Sequence, residues 1–316
     1  MNSSLQHTRF DAQTGLSFLV SQAAALEAEI YRIQYADILY PSLIPVDTTA
    51  PEWIQVVEYV SADTVGRAQW FNGQAQDVPR ADIVRDRLRV TVSMAAIGYG
   101  YDLAELEHAR QYGIDLGPEK AEAARRAYEE FVDDIVLRGD AVRGFSGLLS
   151  HPAVTAGTVA NGASGNPDWA HKTVDEIIDD VNAALTGIQT ASLRVEMADT
   201  VLLPVDRWLK LSQTRIPATS ETALSFLART NIYTLTTGLP LTVRGIPGLE
   251  SAGASGVGRM IVYRRAPDVM KLHIPMPLQF LAPWQSGPMR FEVPGIFRLG
   301  GVDIRKPGAI RYLDGV

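Results

Sequence analysis

The stretch VLRGDAVRGFSGLLSHPAV, residues 136–154, brings arginine, aspartate, serine, histidine and glycine into one short segment, the residue types a hydrolase would use. A serine nucleophile needs G-x-S-x-G on a strand-to-helix turn, where a strained backbone lifts the hydroxyl toward its oxyanion hole. Here Gly147 follows Ser146 at once and a helical pattern precedes it, so neither spacing nor context fits. The segment reads instead as the end of a helix followed by a turn, and Arg138-Gly139-Asp140, which spells an adhesion tripeptide, falls within that turn.

Glu129, Glu130, Asp133 and Asp134 stand at three- and four-residue spacing and could in principle ligate two metals, but such bundles take Glu-x-x-His motifs from two further helices. The acids read as a solvated or subunit-facing flank. Glu122 with Arg126, Arg126 with Glu130, and Asp134 with Arg138 supply i,i+4 pairs worth about 0.2–0.5 kcal/mol each. His7, His108, His151, His171 and His273 lie on unrelated segments without an H-x-x-x-H pair. GASGVGR, residues 253–259, has the glycines to cradle a phosphate, yet Arg259 stands where a Walker loop needs lysine, and a strand pattern follows where a dinucleotide loop needs a helix. The chain has no cysteine, which excludes disulfides and thiolate chemistry. No catalytic residue, metal ligand or cofactor is assigned.

These segments are carried by a mixed set of elements. Residues 15–34 have apolar positions at helical spacing, and Pro41, Pro45 and Pro51 then turn the chain into an extended arm. QVVEYV and DRLRVTVSM read as two strands around a polar middle, a hairpin too long and too polar to form its own core. A short helix over 101–113 has Asp102 as N-cap and Gly113 as C-cap. A longer one starts at Pro118 and runs to Arg138 with the stripe Ala121, Ala124, Tyr128, Phe131 and Ile135, about 30 Å in length. Thr173 and Glu176 form a capping box ahead of Ile177, Ile178, Val181 and Leu185. Helices and strands mix up to about residue 265, and MRFEV, GIFRLGG, VDIRKP and AIRYL close the chain as short strands. The fold class is α+β.

A net charge of −7 argues against gripping nucleic acid through a basic groove, where phosphate neutralisation supplies the affinity. Only five of the 29 basic residues are lysine, and arginine is favoured where a charge is buried at an interface. No signal peptide is visible in MNSSLQHTRFDAQTG, and no apolar run is long enough to span a bilayer, so a soluble protein without a membrane partner is expected.

Two pieces carry a family resemblance: AELEHARQYGIDLGPEKAEAARRAYEEFVDDIVLRGDAVRGFSGLLSHPAV, with its long charged helix and G-x-x-G-L-L turn, and the ending MRFEVPGIFRLGGVDIRKPGAIRYLDGV. In these the chain resembles the major capsid proteins of tailed bacteriophages with the Hong Kong 97-type fold, relatives of the encapsulins. The resemblance implies an N-terminal arm over 1–52, an extended β-hairpin loop over 53–96, and a peripheral domain over 97–159 with spine helix 118–138. It further implies an axial domain over 160–260 and return strands of the peripheral domain over 261–316.

The function so implied is structural: pentamers and hexamers of an icosahedral virion head that encloses double-stranded DNA without sequence-specific binding. The head would assemble in the host cytoplasm, with scaffold, portal and decoration proteins as further partners. Some family members weld the shell through a loop lysine; residues 53–96 hold none, so a non-covalent shell is expected. Arg67, Arg80, Arg85 and Arg87 become candidates to pair with a neighbour's acids, including Glu129, Glu130, Asp133 and Asp134, while Trp70 and Phe71 become candidate anchors. Arg138, Asp140 and Arg143 are placed near an intersubunit contact. An encapsulin-like compartment is the same-fold alternative, and a serine hydrolase at Ser146 is the alternative from another class.

Overall fold

The computed structural model describes residues 38–65, 82–112, 119–216 and 219–316. The helix expected over 15–34, the hairpin middle with Arg67, Trp70, Phe71 and Arg80, and the caps Gly113 and Pro118 lie outside these residues.

The described chain opens with one helical turn, α1 (Tyr40–Leu43), where the sequence suggested only an extended arm. Pro41 is tolerated because it sits in the first turn, where no N–H is needed. A two-residue strand β1 (Val46–Asp47) follows. β2 (Val56–Val65) and β3 (Asp82–Thr91) then pair antiparallel over all ten residues, from Val56 opposite Thr91 to Val65 opposite Asp82. Among the described residues this ribbon joins no other sheet. β4 (Ser93–Asp102) leaves it and pairs along its full length with residues 290–299, so positions 93–96 are tied to the C-terminal sheet.

α2 (Leu103–Tyr112) leads to the long α3 (Glu119–Arg138), which buries Ala121, Ala124, Tyr128, Val132, Ile135, Val136 and Leu137. Phe131, expected in that stripe, is instead 44% exposed, because Val132 takes the core position one helical step after Tyr128. Phe131 packs edge-on against the Phe297 ring, 5.7 Å away.

A small hairpin, β5 (Gly139–Asp140) with β6 (Phe145–Ser146), ends in a 3-10 turn at Leu148–Ser150 and is followed by β7 (Ala156–Thr158). α4 (Val174–Ala191) begins at the expected capping box, with Thr173 and Glu176 bonding each other's backbone, and buries Ile177, Ile178, Val181 and Leu185. Then come β8 (Thr200–Leu203), α5 (Val205–Gln213), α6 (Ala223–Arg229), α7 (Ile232–Thr237) and β9 (Thr242–Gly245). The remainder is β10 (Arg259–Tyr263), β11 (Met270–His273), β12 (Met276–Phe280), β13 (Trp284–Gly287), β14 (Arg290–Leu299), β15 (Val302–Ile304) and β16 (Ile310–Asp314). MRFEV and GIFRL, expected as separate strands, are one strand through Pro294. The proline carbonyl still accepts the Leu281 N–H, and Gly98 opposite it lets the backbones close; a Cβ there would stand 2.7 Å from the Val293 carbonyl oxygen.

Five strands in the order β7-β16-β10-β8-β9 form a wall between two cores. Leu202, Ile261, Tyr263 and Tyr312 point into one, with Leu43, Ile44, Val132 and Leu148. Val201, Leu203, Met260, Val262 and Leu313 point into the other, with Trp169, Ile177, Val181 and Leu185 of the α4 side. Both faces being covered explains why VLL and MIVY are continuous apolar runs without alternation.

Candidate assembly interface

The turn after α3 is shaped by its glycines. Gly139 (φ +83°) and Gly144 (φ +73°) take left-handed backbone that a side chain resists. Gly147 has an ordinary φ, but a Cβ on it would lie 2.3 Å from the Leu137 carbonyl oxygen. Asp140 accepts the Val142 N–H at 2.9 Å and so closes the turn on which Arg143 is exposed.

Ser146 pairs with Gly139 across this hairpin and shares a cavity of about 380 Å³ with His151 and Asp303. The imidazole and the carboxylate are engaged elsewhere. His151 Nδ1 accepts the Ala153 N–H at 3.2 Å, and burial lowers the imidazole pKa. Asp303 meets His273 Nε2 at 3.1 Å and accepts from Arg305 Nε at 3.0 Å.

The same turn is fastened to the chain's final strand. Tyr312 donates its hydroxyl to the Leu148 carbonyl at 2.5 Å and accepts the His151 N–H at 3.1 Å. Arg259 grips Asp314 with Nε (2.6 Å) and Nη2 (3.0 Å), donates Nη1 to the Leu149 carbonyl at 2.9 Å, and lies over the Tyr312 ring. Burial acts to raise the Asp314 carboxyl pKa, but the Arg259 fork and the Ala254 N–H outweigh it and hold it below the usual range.

The four acids of α3 divide into two pairs. Asp133 accepts the N–H groups of Leu39 (3.1 Å) and Tyr40 (2.7 Å), and burial raises its pKa against the pull of these bonds. Glu129 accepts the Tyr40 hydroxyl at 2.8 Å and pairs with Arg125. These two therefore hold the segment at α1. Glu130 pairs with Arg126 and Asp134 with Arg138 on the exposed side, as the i,i+4 spacing predicts.

Arg85 and Arg87 are exposed on β3, two residues apart and hence on one face of the ribbon. Arg89, next on that face, pairs with Glu58 directly across the ribbon at 2.8 Å. Opposite Arg85 and Arg87 stand Ala62 and Val60, so neither has a cross-strand acid. The root of the ribbon is anchored by its other face. The Arg305 guanidinium lies 4.5 Å from the Tyr59 ring centre, and burial beside Asp303 raises the Tyr59 hydroxyl to about 12. Asp47 binds Lys271 at 2.8 Å nearby. These anchors escape sequence reading because no local spacing marks them; the only hint is charge at positions of short tail strands that should be buried.

Among the described residues no His, Asp or Glu cluster is arranged to hold a metal, and no helix is long and apolar enough to cross a membrane. No curated protein sequence matches the chain. The capsid of Myoviridae phage XM1 superposes with a TM-score of 0.71 at 18% identity, covering 90% of this chain and 94% of that one. The capsid of an empty GTA particle gives 0.60 at 13% identity, covering 89% and 91%. A virus-like particle from Pyrococcus furiosus gives 0.51 at 12% identity, covering 94% and 99%. The sequence profile of the family described as "Major capsid protein" matches residues 66–316. With that match over most of its length and a Hong Kong 97-type fold, the chain belongs to the major capsid protein family and is a structural protein.

Proposed function

We propose that the chain builds pentamers and hexamers of a closed icosahedral head around double-stranded DNA. One observation carries this reading: a full-length two-stranded ribbon, joined to no other sheet among the described residues, exposes Arg85 and Arg87 without a cross-strand acid. A ribbon of two strands is marginal alone and gains its burial from a neighbour. Residues 1–52 are then the arm and 53–96 the loop, whose outer part lies on the adjacent subunit while positions 93–96 stay in the chain's own C-terminal sheet; 97–159 and 261–316 are the peripheral domain, and 160–260 the axial domain. Arg67, Arg80, Trp70 and Phe71 would extend the contact, with Glu130, Asp134, Arg138, Asp140 and Arg143 as candidate acceptors and partners across it. The shell is non-covalent, because the loop has no lysine, and its net negative charge leaves packaged DNA ungripped. Assembly takes place in the host cytoplasm, with scaffold, portal and decoration proteins as partners.

The test is purification of the full chain and of Arg85→Glu/Arg87→Glu. Wild type should give uniform shells by negative-stain imaging. The double variant should keep the subunit's thermal midpoint but fail to close shells. A wild-type chain that stays monomeric across salt and concentration would refute the reading.

A further inference from the structure

Behind the wall, between the C-terminal half of α4 and β16, lies a groove of about 400 Å³ lined by small residues, among them Ala156, Gly157, Gly187 and Gly308. Arg311 is its one cation. Its side chain lies across α4 so closely that a Cβ at Gly187 would sit 1.8 Å from Nη1. The absence of a side chain at 187 is what admits the guanidinium.

Arg311 is half-buried and, among the described residues, has neither an ion pair nor a hydrogen-bonded acceptor. The other arginines drawn in from solvent each have a partner: Arg125, Arg207, Arg259, Arg264 and Arg305 a carboxylate and Arg298 the Glu52 carbonyl. A cation partly withdrawn from water without a counter-charge is unfavourable unless something outside the fold supplies one.

A second feature stands at the end of the same groove. Ala191 lines it, and two residues on, Leu193 (φ +52°) and Arg194 (φ +67°) hold left-handed backbone that such residues seldom adopt. The turn is fixed by the Arg194 N–H to the Gln189 carbonyl at 2.7 Å and by the Glu196 N–H to Ser192 Oγ at 3.0 Å. Held this way, Leu193 is 87% and Val195 78% exposed. A fixed turn that presents two large apolar side chains to water beside an unmatched guanidinium has the composition of a contact surface.

We propose that this groove receives a carboxylate side chain from a second copy of the chain, which also covers the turn at Leu193–Val195. The proposal rests on the assembly reading above. A chain of net charge −7 offers carboxylates in plenty, whereas a single guanidinium in an apolar groove is a poor hold for a polyanion such as DNA.

The chain has no cysteine, so Ala191→Cys gives one site for maleimide labelling. It should label readily in unassembled subunits and be protected in shells. Arg311→Gln should leave the subunit's thermal midpoint unchanged and raise the threshold concentration for assembly about ten-fold or more, equivalent to about 1.4 kcal/mol, with Arg311→Lys between the two. If Arg311→Gln itself unfolds, protection at position 191 decides. Shells that form at the wild-type threshold with Arg311→Gln, or that label fully at position 191, overturn the proposal alone. Protection of unassembled subunits by added DNA or inorganic phosphate overturns it too, because the occupant would then be a phosphate. A wild-type chain that forms no shells overturns the assembly reading and this proposal with it.

Discussion

Replacing Arg259 with methionine removes one guanidinium that makes three hydrogen bonds, two to Asp314 and one to the Leu149 carbonyl. The two side chains are only 9% and 7% exposed, so solvent screens the pair little. Breaking a buried pair by deleting one partner costs about 3–5 kcal/mol, because the other charge stays buried. Asp314 would keep the Ala254 N–H but lose the fork that offsets its desolvation. Against a typical total stability of about 5–15 kcal/mol this is a large fraction. Urea unfolding of the unassembled chain, followed by far-UV circular dichroism, measures it. A cycle with Asp314→Leu isolates the pair: the double variant should cost at least about 2 kcal/mol less than the sum of the singles, since it leaves no unpaired charge. A loss below about 1 kcal/mol for Arg259→Met, or strict additivity, would refute the claim that this pair fastens the GLLSH turn to the last strand.

Two further outcomes follow from the geometry. Gly147→Ala should lower stability by at least about 2 kcal/mol, since its Cβ meets backbone at 2.3 Å, whereas Gly144→Ala meets only open space and should cost about 1 kcal/mol for its left-handed φ; thermal midpoints of the two variants check the order. Burial pushes the carboxyls of Asp47, Asp303 and Asp314 upward, but their hydrogen-bonded partners, Lys271 and Thr49 for Asp47, His273 and Arg305 for Asp303, and Arg259 and the Ala254 N–H for Asp314, win and hold all three below the usual range. The stability they contribute is present above the unfolded carboxylate pKa of about 4 and is lost as pH falls through the folded values. The urea midpoint should therefore fall below about pH 4, and Asp303→Asn should flatten that acid limb; an unchanged limb would count against it.

Features set by neighbouring residues are legible in the sequence itself. The i,i+4 pairs of α3, the Thr173–Glu176 box and the ends of the ribbon each depend on a few adjacent positions. What depends on distant partners is not legible there. Glu129 and Asp133 look identical to Glu130 and Asp134 in sequence, yet their partners at Leu39 and Tyr40 lie 89 to 94 positions away. Phe131 differs from Val132 only by which of two helical steps the core selects. Pro294 breaks a strand pattern locally, but Gly98, nearly 200 residues earlier, lets the strand continue. The Arg259–Asp314 link, 55 residues apart, and Arg311 over Gly187 likewise exist only after the wall has formed.

The wall also sets a schedule. β16 is an inner strand, hydrogen-bonded to β7 on one side and β10 on the other, and its residues face both cores. Because residues 310–314 contribute to both cores, the two are expected to close together rather than one before the other. A cut before residue 310 therefore takes the shared wall from both cores at once, and the two should unfold in a single transition.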